Sequence, residues 1–350
     1  MYRSYQELVQ TEKYLRLNKQ SQLVIEFSNH LKIIDFHIHL SDLLAGKRKD
    51  PISKGEKLAY PTLPPIEQMD LSQPYWTHSS HNHYKGISGI LKFSAHGLRI
   101  LNDMVDGGTF DNCFETMEAN HIQKAVMLPI SSAKDDRSPA ALQAAARYPD
   151  RLVAFCSVHP NDPKRKGKIQ KYKDMGAKGF KLKIPDMELK HDTGPLVELM
   201  HECHEARLPV LFHVGSNVQE DDPNVSKTMR RLLRCTRTEI YGDLLTQLPS
   251  DFTFVFGHSG IGEYKLVAEY LKKYPAAYAE ISAQSADSIK YLIDEVGSDR
   301  LLFGTDWPAL PQALTLSRVL IATEDDQTAR DNILYKNAER LLHIQIEQQK

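Results

Sequence analysis

Residues 33–40 alternate apolar with polar side chains, and this period of two predicts a β-strand. Its two faces would carry Asp35, His37 and His39 on one side and Phe36, Ile38 and Leu40 on the other. Two imidazoles that project side by side can bind one metal ion, because neutral ring nitrogens are good ligands for zinc and similar metals. A His-x-His pair can equally be hydrogen-bonded inside a fold, so the rest of the sequence has to decide.

Seven further segments predict strands, and helical stretches separate them. The predicted strands are 33–40, 124–130, 151–158, 177–184, 208–214, 252–258, 276–282 and 301–306. Alternating β and α elements indicate a parallel sheet, and eight such units indicate a closed (β/α)8 TIM barrel with its active site at the C-terminal strand ends. An open doubly wound sheet is the alternative, but it usually has a glycine-rich turn after the first strand, and residues 41–44 (Ser-Asp-Leu-Leu) are not such a turn.

The chain outside these units divides into three parts. Residues 4–32 have Leu and Ile at helical spacing and predict a helical preamble, whereas residues 311–342 predict two closing helices. Residues 41–109 are rich in Pro, Gly, Ser and His, and a long connection of this kind is either disordered or a functional cover over a site. Its aromatic side chains favour a lid, because they can bury area against a barrel mouth. We therefore predict a single domain over 1–350 with a lid insertion at 41–109.

Two groups of residues characterise the predicted lid. The aromatic group is Tyr75, Trp76, Tyr84 and Phe93, and the histidine group is His78, His81, His83 and His96. A histidine cluster in such a segment is more often substrate contact or solvated surface than a second metal site.

Composition excludes several classes of protein. The 350 residues include 44 Lys plus Arg and 45 Asp plus Glu, so there is no long-range attraction to nucleic acid or to an anionic membrane. The four cysteines are scattered and form no Cys-x-x-Cys pair, which is typical of reduced thiols in a cytosolic protein. Residues 1–20 lack the apolar region of a signal peptide, and no apolar run is long enough to span a bilayer. We therefore expect a cytoplasmic protein.

Polar residues close several of the predicted strands. His213, His258 and Asp306 each end an otherwise apolar run, and Lys181 and Lys183 share one face of the fourth predicted strand. Burying a carboxylate and several imidazoles near a core is costly unless something compensates them, and a divalent cation is the simplest compensation. The order of these residues therefore favours a metal site over isolated core histidines.

Six motifs carry a family resemblance. They are Asp-Phe-His-Ile-His at 35–39, Gly-Ala-Lys-Gly-Phe-Lys-Leu at 176–182, Pro-Val-Leu-Phe-His-Val-Gly at 209–215, Gly-His-Ser-Gly at 257–260, Leu-Phe-Gly-Thr-Asp-Trp-Pro at 302–308 and Lys-Asn-Ala-Glu-Arg-Leu-Leu at 336–342. In this order they resemble the amidohydrolase superfamily, in particular amidohydrolase family 2. Its decarboxylase-like members include aminocarboxymuconate-semialdehyde decarboxylase and γ-resorcylate decarboxylase. The resemblance runs from residue 33 to about 342 and does not cover the lid.

The resemblance implies one divalent metal, most often zinc in this family. His37, His39 and His213 would bind it, and Asp306 would be a further ligand or would accept the proton of a water beside the metal. His258 would be a general acid or base, or would orient the water or a developing oxyanion.

The resemblance leaves the lysines of the fourth predicted strand open. In some branches the residue at Lys181 is carboxylated and bridges two metals, with His258 as a ligand to the second. In mononuclear branches it stays free and holds a substrate carboxylate. The motif around Lys181 favours one metal, and Lys183 is a second candidate for binding an anionic substrate group.

The expected activity is hydrolysis of a small carbonyl-type, carboxylated substrate through a metal-activated water. Non-oxidative decarboxylation or lactone hydrolysis on the same site are alternatives, and a non-enzyme alternative is an inactive barrel that serves as a binding protein. The intact ligand set argues against the last of these. Relatives are commonly dimers or larger, so we expect a homo-oligomer with a small-molecule substrate. Glu280 is interpreted as a structural carboxylate that lines the barrel and pairs with a lysine.

Overall fold

A computed structural model describes most of the barrel and little of the predicted lid. The described residues are 2–27, 30–40, 66, 69–74, 104, 107–132, 135–183, 193–215 and 237–347. The aromatic and histidine groups of the predicted lid lie outside these ranges, so the lid itself stays a prediction.

The N-terminal segment is only partly helical. It contains three short elements: helix α1 (Tyr5–Thr11) and the antiparallel strands β1 (Leu15–Leu17) and β2 (Leu23–Ile25). The prediction of a helical preamble over 4–32 is therefore wrong after α1. The side-chain oxygen of Asn18 accepts hydrogen bonds from the backbone N–H groups of Gln20 and Gln22, at 3.0 and 2.9 Å. This turn reverses the chain and lets the two strands pair, a local signal that outweighs the helical spacing of the leucines.

Eight short parallel strands form the barrel. They are β3 (Ile34–Ile38), β4 (Lys124–Met127), β5 (Leu152–Ala154), β6 (Phe180–Leu182), β7 (Val210–His213), β8 (Phe254–Gly257), β9 (Ala277–Glu280) and β10 (Leu301–Leu302). Strands β3–β5 form one ladder and β6–β10 form another, each in chain order. Parallel bridges from Cys156 to Phe180 and from Ile38 to Trp307 join the two ladders at both edges. The prediction of a TIM barrel is confirmed.

Helices alternate with these strands as the sequence predicts. They are α2 (Phe110–Ala119), α3 (Ser138–Arg147), α4 (Arg165–Asp174), α5 (Gly194–Glu205), α6 (Thr238–Leu245), α7 (Tyr264–Lys273), α8 (Ala286–Val296), α9 (Gln312–Ala322), α10 (Gln327–Asp331) and α11 (Asn337–Leu342). A π-helical segment at Asn332–Lys336 joins α10 to α11, so the helical backbone continues through all three. Within the described ranges, no helix is both long and apolar enough to cross a bilayer.

Strand β3 departs from strict alternation. Its register on β4 shifts between Asp35 and Ile38. Phe36 consequently packs in a different buried cluster from Ile38 and Leu40, and the predicted common face of these three residues is wrong. Irregular strand positions of this kind are frequent beside active sites, because they re-aim side chains.

Candidate active site and metal centre

Three side chains converge where β3 ends and the chain leaves β10. The Nε2 atoms of His37 and His39 are 3.2 Å apart. Asp306 Oδ1 lies 3.2 Å from His39 Nε2 and 3.5 Å from His37 Nε2. All three residues are buried. The structure therefore brings together three of the four metal ligands that the sequence predicts.

The hydrogen bonds of the two imidazoles decide which nitrogen is available as a ligand. His37 Nδ1 donates to Glu280 Oε2 and His39 Nδ1 donates to the carbonyl of Leu128, both at 2.7 Å. Each ring then presents Nε2 toward the other ring and toward Asp306. Two nitrogens and a carboxylate oxygen this close to one another need a proton or a cation between them. Two imidazoles and one carboxylate are a donor set that fits a divalent metal ion. Metal-binding histidines usually donate their other ring N–H to a carboxylate or a backbone carbonyl, and His37 and His39 both do so.

The pKa shifts of His37 and Asp306 favour the protonation states in which these side chains can bind a cation. Burial, together with the positive charge of Lys181, holds the pKa of His37 well below its usual range, so the ring is neutral. Burial acts to raise the pKa of Asp306, but the neighbouring imidazoles of His37, His39 and His258 outweigh it and keep the carboxyl ionised.

Glu280, at the end of β9, connects the two sides of the site. Besides the His37 ring, its carboxylate accepts hydrogen bonds from the backbone N–H of His258 at 3.0 Å and from the N–H and Oγ–H of Ser282 at 2.5 and 3.0 Å. The predicted lysine partner is therefore wrong, since the described partner is an imidazole. The sequence motif gave no signal for this role, because it does not say which ring a buried carboxylate meets.

Gly304 leaves room for the Glu280–His37 pair. A β-carbon at this position would lie 2.8 Å from the β-carbon of His37 and would press into the Glu280 carboxylate. A side chain at residue 304 would therefore push the carboxylate away from the ring that it orients.

His258 and His213 form the other side of the site. Ser282 Oγ donates to Glu280, so it accepts from His258 Nδ1, at 2.6 Å. His258 Nε2 is then an acceptor, and His213 Nδ1 donates to it at 3.0 Å. Burial lowers the pKa of His258 to about 3, and burial with the charge of nearby His258 lowers that of His213 well below its usual value. The Nε2 atom of His213 keeps its lone pair.

The described residues contain two sets of three closely spaced side chains that could hold a metal ion, and His213 is in neither. One set is His37, His39 and Asp306, and the other is His37, His258 and Glu280. The structure thus places His213 beside His258 rather than in direct contact with the first set. Its predicted role as a ligand stays a prediction.

A strained turn presents His258. His258, Ser259 and Ile261 have φ angles of 55°, 45° and 54°, a region that favours glycine. The Gln284 side chain donates to the carbonyls of His258 and Ile261, at 2.7 and 2.9 Å, and Ser259 Oγ donates to the carbonyl of Glu280 at 3.0 Å. Strain of this kind persists where surrounding contacts fix the backbone, and it is concentrated at functional sites.

The two lysines of the fourth predicted strand are close to the imidazoles. Lys181 is 1% exposed, and its Nζ lies 3.5 Å from His37 Nε2. Lys183 follows β6 and is half-buried, and both lysines act to lower the pKa of His213. Two positive charges therefore face the region between His37 and His213.

Asp35 ties β3 to the loop that carries Asp306. Its Oδ1 accepts from the backbone N–H groups of His37 and Thr305, at 3.1 and 3.0 Å. Its Oδ2 accepts from Thr305 Oγ1 at 2.6 Å and from Gln312 Nε2 at 3.1 Å. Burial raises the pKa of Asp35 to about 7, although these hydrogen bonds oppose the shift.

The loop that follows β10 has a strained backbone conformation at Asp306. Asp306 has a φ of 59°. Its N–H donates to the carbonyl of His37 at 2.8 Å, and the N–H of His39 donates to the carbonyl of Trp307 at 2.7 Å. Asp35 and these backbone bonds hold the Asp306 carboxylate against the histidine pair. Sequence reasoning assigned Asp35 only to a strand face and missed this role.

The family model described as amidohydrolase matches residues 34–344. The chain belongs to the amidohydrolase family. Members of this family are metal-dependent enzymes, and the chain is therefore an enzyme of the amidohydrolase type. No curated protein matches the sequence.

Solved structures share the barrel at low sequence identity. An uncharacterised TIM-barrel protein from Bordetella bronchiseptica aligns with a TM-score of 0.57 and 19% identity, over 89% of this chain and 99% of that one. A probable 2-pyrone-4,6-dicarboxylic acid hydrolase from Acinetobacter baumannii aligns with a TM-score of 0.55 and 13% identity, over 90% and 100%. A 5-carboxyvanillate decarboxylase from Novosphingobium aromaticivorans, with bound manganese, aligns with a TM-score of 0.53 and 18% identity, over 71% and 84%. These similarities support the TIM-barrel fold of this amidohydrolase.

Proposed function

We propose that this amidohydrolase is a metal-dependent hydrolase of a small, carboxylated substrate with a carbonyl-type bond. The observation that carries the proposal is the convergence of His37 Nε2, His39 Nε2 and Asp306 Oδ1 within 3.5 Å of one another. These three residues, with His213 as a further ligand, would hold one divalent cation, and zinc is our first candidate. When bound, such a cation would polarise a substrate carbonyl and lower the pKa of a water.

The remaining residues have separate proposed roles. Asp306, ionised and beside the histidine pair, accepts a proton from the attacking water. Ser282 fixes the proton of His258 on Nδ1, so a role as general acid or base, or in orienting water, requires Nε2 to exchange its hydrogen bond from His213 for one to water or substrate. Lys181 and Lys183 bind the substrate carboxylate, which supports a negatively charged substrate.

We propose one cation rather than two. In the second ligand set, Glu280 accepts four hydrogen bonds and His258 bonds to both Ser282 and His213. These bonds would have to be exchanged before a second ion could bind. A second metal that involves carboxylated Lys181 is the less favoured arrangement.

Non-oxidative decarboxylation is the second candidate. The buried Lys181 ammonium beside His37 would hold a substrate carboxylate next to the cation, which suits loss of carbon dioxide as well as hydrolysis. Solved neighbours of both kinds act on carboxylated rings: one is a 5-carboxyvanillate decarboxylase and another a probable 2-pyrone-4,6-dicarboxylic acid hydrolase. Lactone hydrolysis falls within the hydrolase proposal.

A substrate panel tests these candidates. The protein is loaded with zinc or manganese and assayed on aromatic carboxylic acids, unsaturated carboxylic acids and carboxylated lactones, with carbon dioxide release and ring opening measured in parallel. We expect ring opening or acyl hydrolysis that Asp306→Asn abolishes and Lys290→Ala, an exposed control, leaves intact. Carbon dioxide release that Asp306→Asn abolishes would favour the decarboxylase.

The non-enzyme alternative has its own test. Metal content is measured in the purified protein and in His37→Ala. Less than about a tenth of an equivalent of metal, unchanged by the substitution, would mean that the histidine pair holds no cation and would favour a binding protein.

A further inference from the structure

A cavity lies at the opposite end of the barrel from the candidate metal centre. Its volume is about 1070 Å³, comparable with the largest ligand pockets, which run from about 300 to 1,000 Å³. The residues that precede four strands line it: Lys178 before β6, Pro209 before β7, Thr253 before β8 and Ala276 before β9. Because the metal ligands lie at the C-terminal strand ends, this cavity is separate from them.

The lining of this cavity carries an excess of positive charge. Its basic side chains are Lys173, Lys178, Arg207 and Arg340, with the imidazoles of His204 and His343. The two acidic side chains in the lining already have partners. Glu205 pairs with Lys166 at 2.8 Å, and Asp251 lies 3.6 Å from His204. Cations with no matching acid in the lining attract a ligand that brings its own negative charge.

Arg207 lies in the turn that follows α5, on the wall of the cavity. The turns that follow α4 and α5 have the same hydrogen bonds: Ala177 N–H to the Tyr172 carbonyl at 2.9 Å, and Leu208 N–H to the Cys203 carbonyl at 3.0 Å. Each turn needs one left-handed residue. After α4 this residue is Gly176, with φ of 103°, but after α5 it is Arg207, with φ of 54°.

Glycine adopts the left-handed conformation without the steric cost that a β-carbon imposes. His121, which follows α2 and is not part of the lining, also has a left-handed φ, of 58°, so such a turn does not by itself indicate a ligand. The relevant consequence at residue 207 is that the turn puts a guanidinium on the cavity wall. His343, with φ of 51°, is a second left-handed lining residue with a basic side chain.

From this arrangement we infer a binding site for a small organic anion with two negative charges, as carboxylate or phosphate groups, on a flat ring. Guanidinium and ammonium groups bind both oxyanions through charge-assisted hydrogen bonds. Tyr278, half-buried in the lining, offers an aromatic face for the ring. The site is separate from the catalytic rim and does not depend on the proposed reaction.

Isothermal titration calorimetry on the full chain tests the inference. The probes are phenyl phosphate and isophthalate, which present the same ring with either a phosphate or two carboxylates, each up to about 10 mM. The variants are Arg207→Gly and Lys178→Ala, with Lys290→Ala as an exposed control outside the cavity.

We expect at least one probe to bind, and each cavity variant to weaken that binding about tenfold while Lys290→Ala leaves it unchanged. The probe that binds more tightly identifies the oxyanion. Arg207→Gly should keep or raise the melting temperature, because glycine relieves the left-handed strain, so its loss of binding could not be attributed to unfolding. Absence of binding by both probes, or binding that both cavity variants leave unchanged, would overturn the inference.

Discussion

Each side of the candidate metal centre contains a pair of histidines, but the two pairs make different contacts. On the side of β3, the Nε2 atoms of His37 and His39 face each other, 3.2 Å apart, and the Lys181 ammonium lies 3.5 Å from His37 Nε2. On the side of β7 and β8, His213 and His258 are joined by a hydrogen bond at 3.0 Å. The first pair presents two nitrogens to a site that a cation could fill, whereas the second pair satisfies itself.

The difference lies in the partner of the outer nitrogen. His37 and His39 both use Nδ1 to donate outward, to Glu280 and to a backbone carbonyl, so their Nε2 atoms face each other and Asp306. His258 also donates outward, to Ser282, but His213 donates inward to it. The group that accepts the proton of one ring nitrogen therefore determines whether the other nitrogen can bind a metal. A neighbouring imidazole does not determine this by itself.

Among the four substitutions that test this difference, Asp306→Asn should reduce activity most. The substitution keeps the shape of the side chain but removes the negative charge beside the histidine pair. We expect a loss of about 10²–10⁴ in kcat/KM on a substrate from the panel, since a general base is lost. Activity within a few-fold of the wild type would remove Asp306 from the chemistry.

His213→Ala distinguishes a ligand from a hydrogen-bonding partner. If His213 Nε2 binds the cation, metal affinity should fall about 100-fold, as with His39→Ala. The measurement is a competition titration of the metal-free protein with a chelating dye, and His201→Ala, on α5 and outside the site, is the matched control. Unchanged metal affinity with a lower rate would limit His213 to a contact with His258.

Asp35→Asn tests how far the loop position depends on one carboxylate. The amide NH₂ would replace one acceptor oxygen, so either two backbone N–H groups lose their acceptor or Thr305 and Gln312 must turn from donors to acceptors. We expect metal affinity to fall about 10- to 100-fold and the free energy of unfolding to fall by about 1–3 kcal/mol. Denaturant unfolding and metal titration measure the two effects separately, and wild-type affinity would contradict the assigned positioning role.

Ser282→Ala should have the smallest effect. Loss of the hydroxyl removes the acceptor of the His258 Nδ1 proton and one hydrogen bond to Glu280, but the His37 ring and two backbone N–H groups still bond to that carboxylate. We expect kcat to fall about tenfold with metal content unchanged, and Ser282→Thr to restore most of it because the hydroxyl returns. A loss of metal in Ser282→Ala would mean that the two sides of the site are not separable.

The sequence predicts the barrel and the convergence of His37, His39 and Asp306 for one reason. Both follow from strand order, since the C-terminal ends of successive parallel strands meet at one rim. It does not predict the partner of Glu280 or the role of Asp35, because periodicity says which face a side chain takes and not which atom it meets. The hairpin at β1 and β2 was missed for a similar reason, as the turn at Asn18 depends on one side chain.

Gly304 has no functional group, yet its lack of a side chain governs whether His37 keeps its carboxylate. The residue at position 304 can therefore help to distinguish relatives that bind a metal from those that do not. A relative that keeps His37, His39 and Asp306 but carries alanine or a larger residue at 304 should have a misoriented His37 ring and lower metal affinity. A saturation library at this codon, selected for metal-dependent turnover, should return glycine alone.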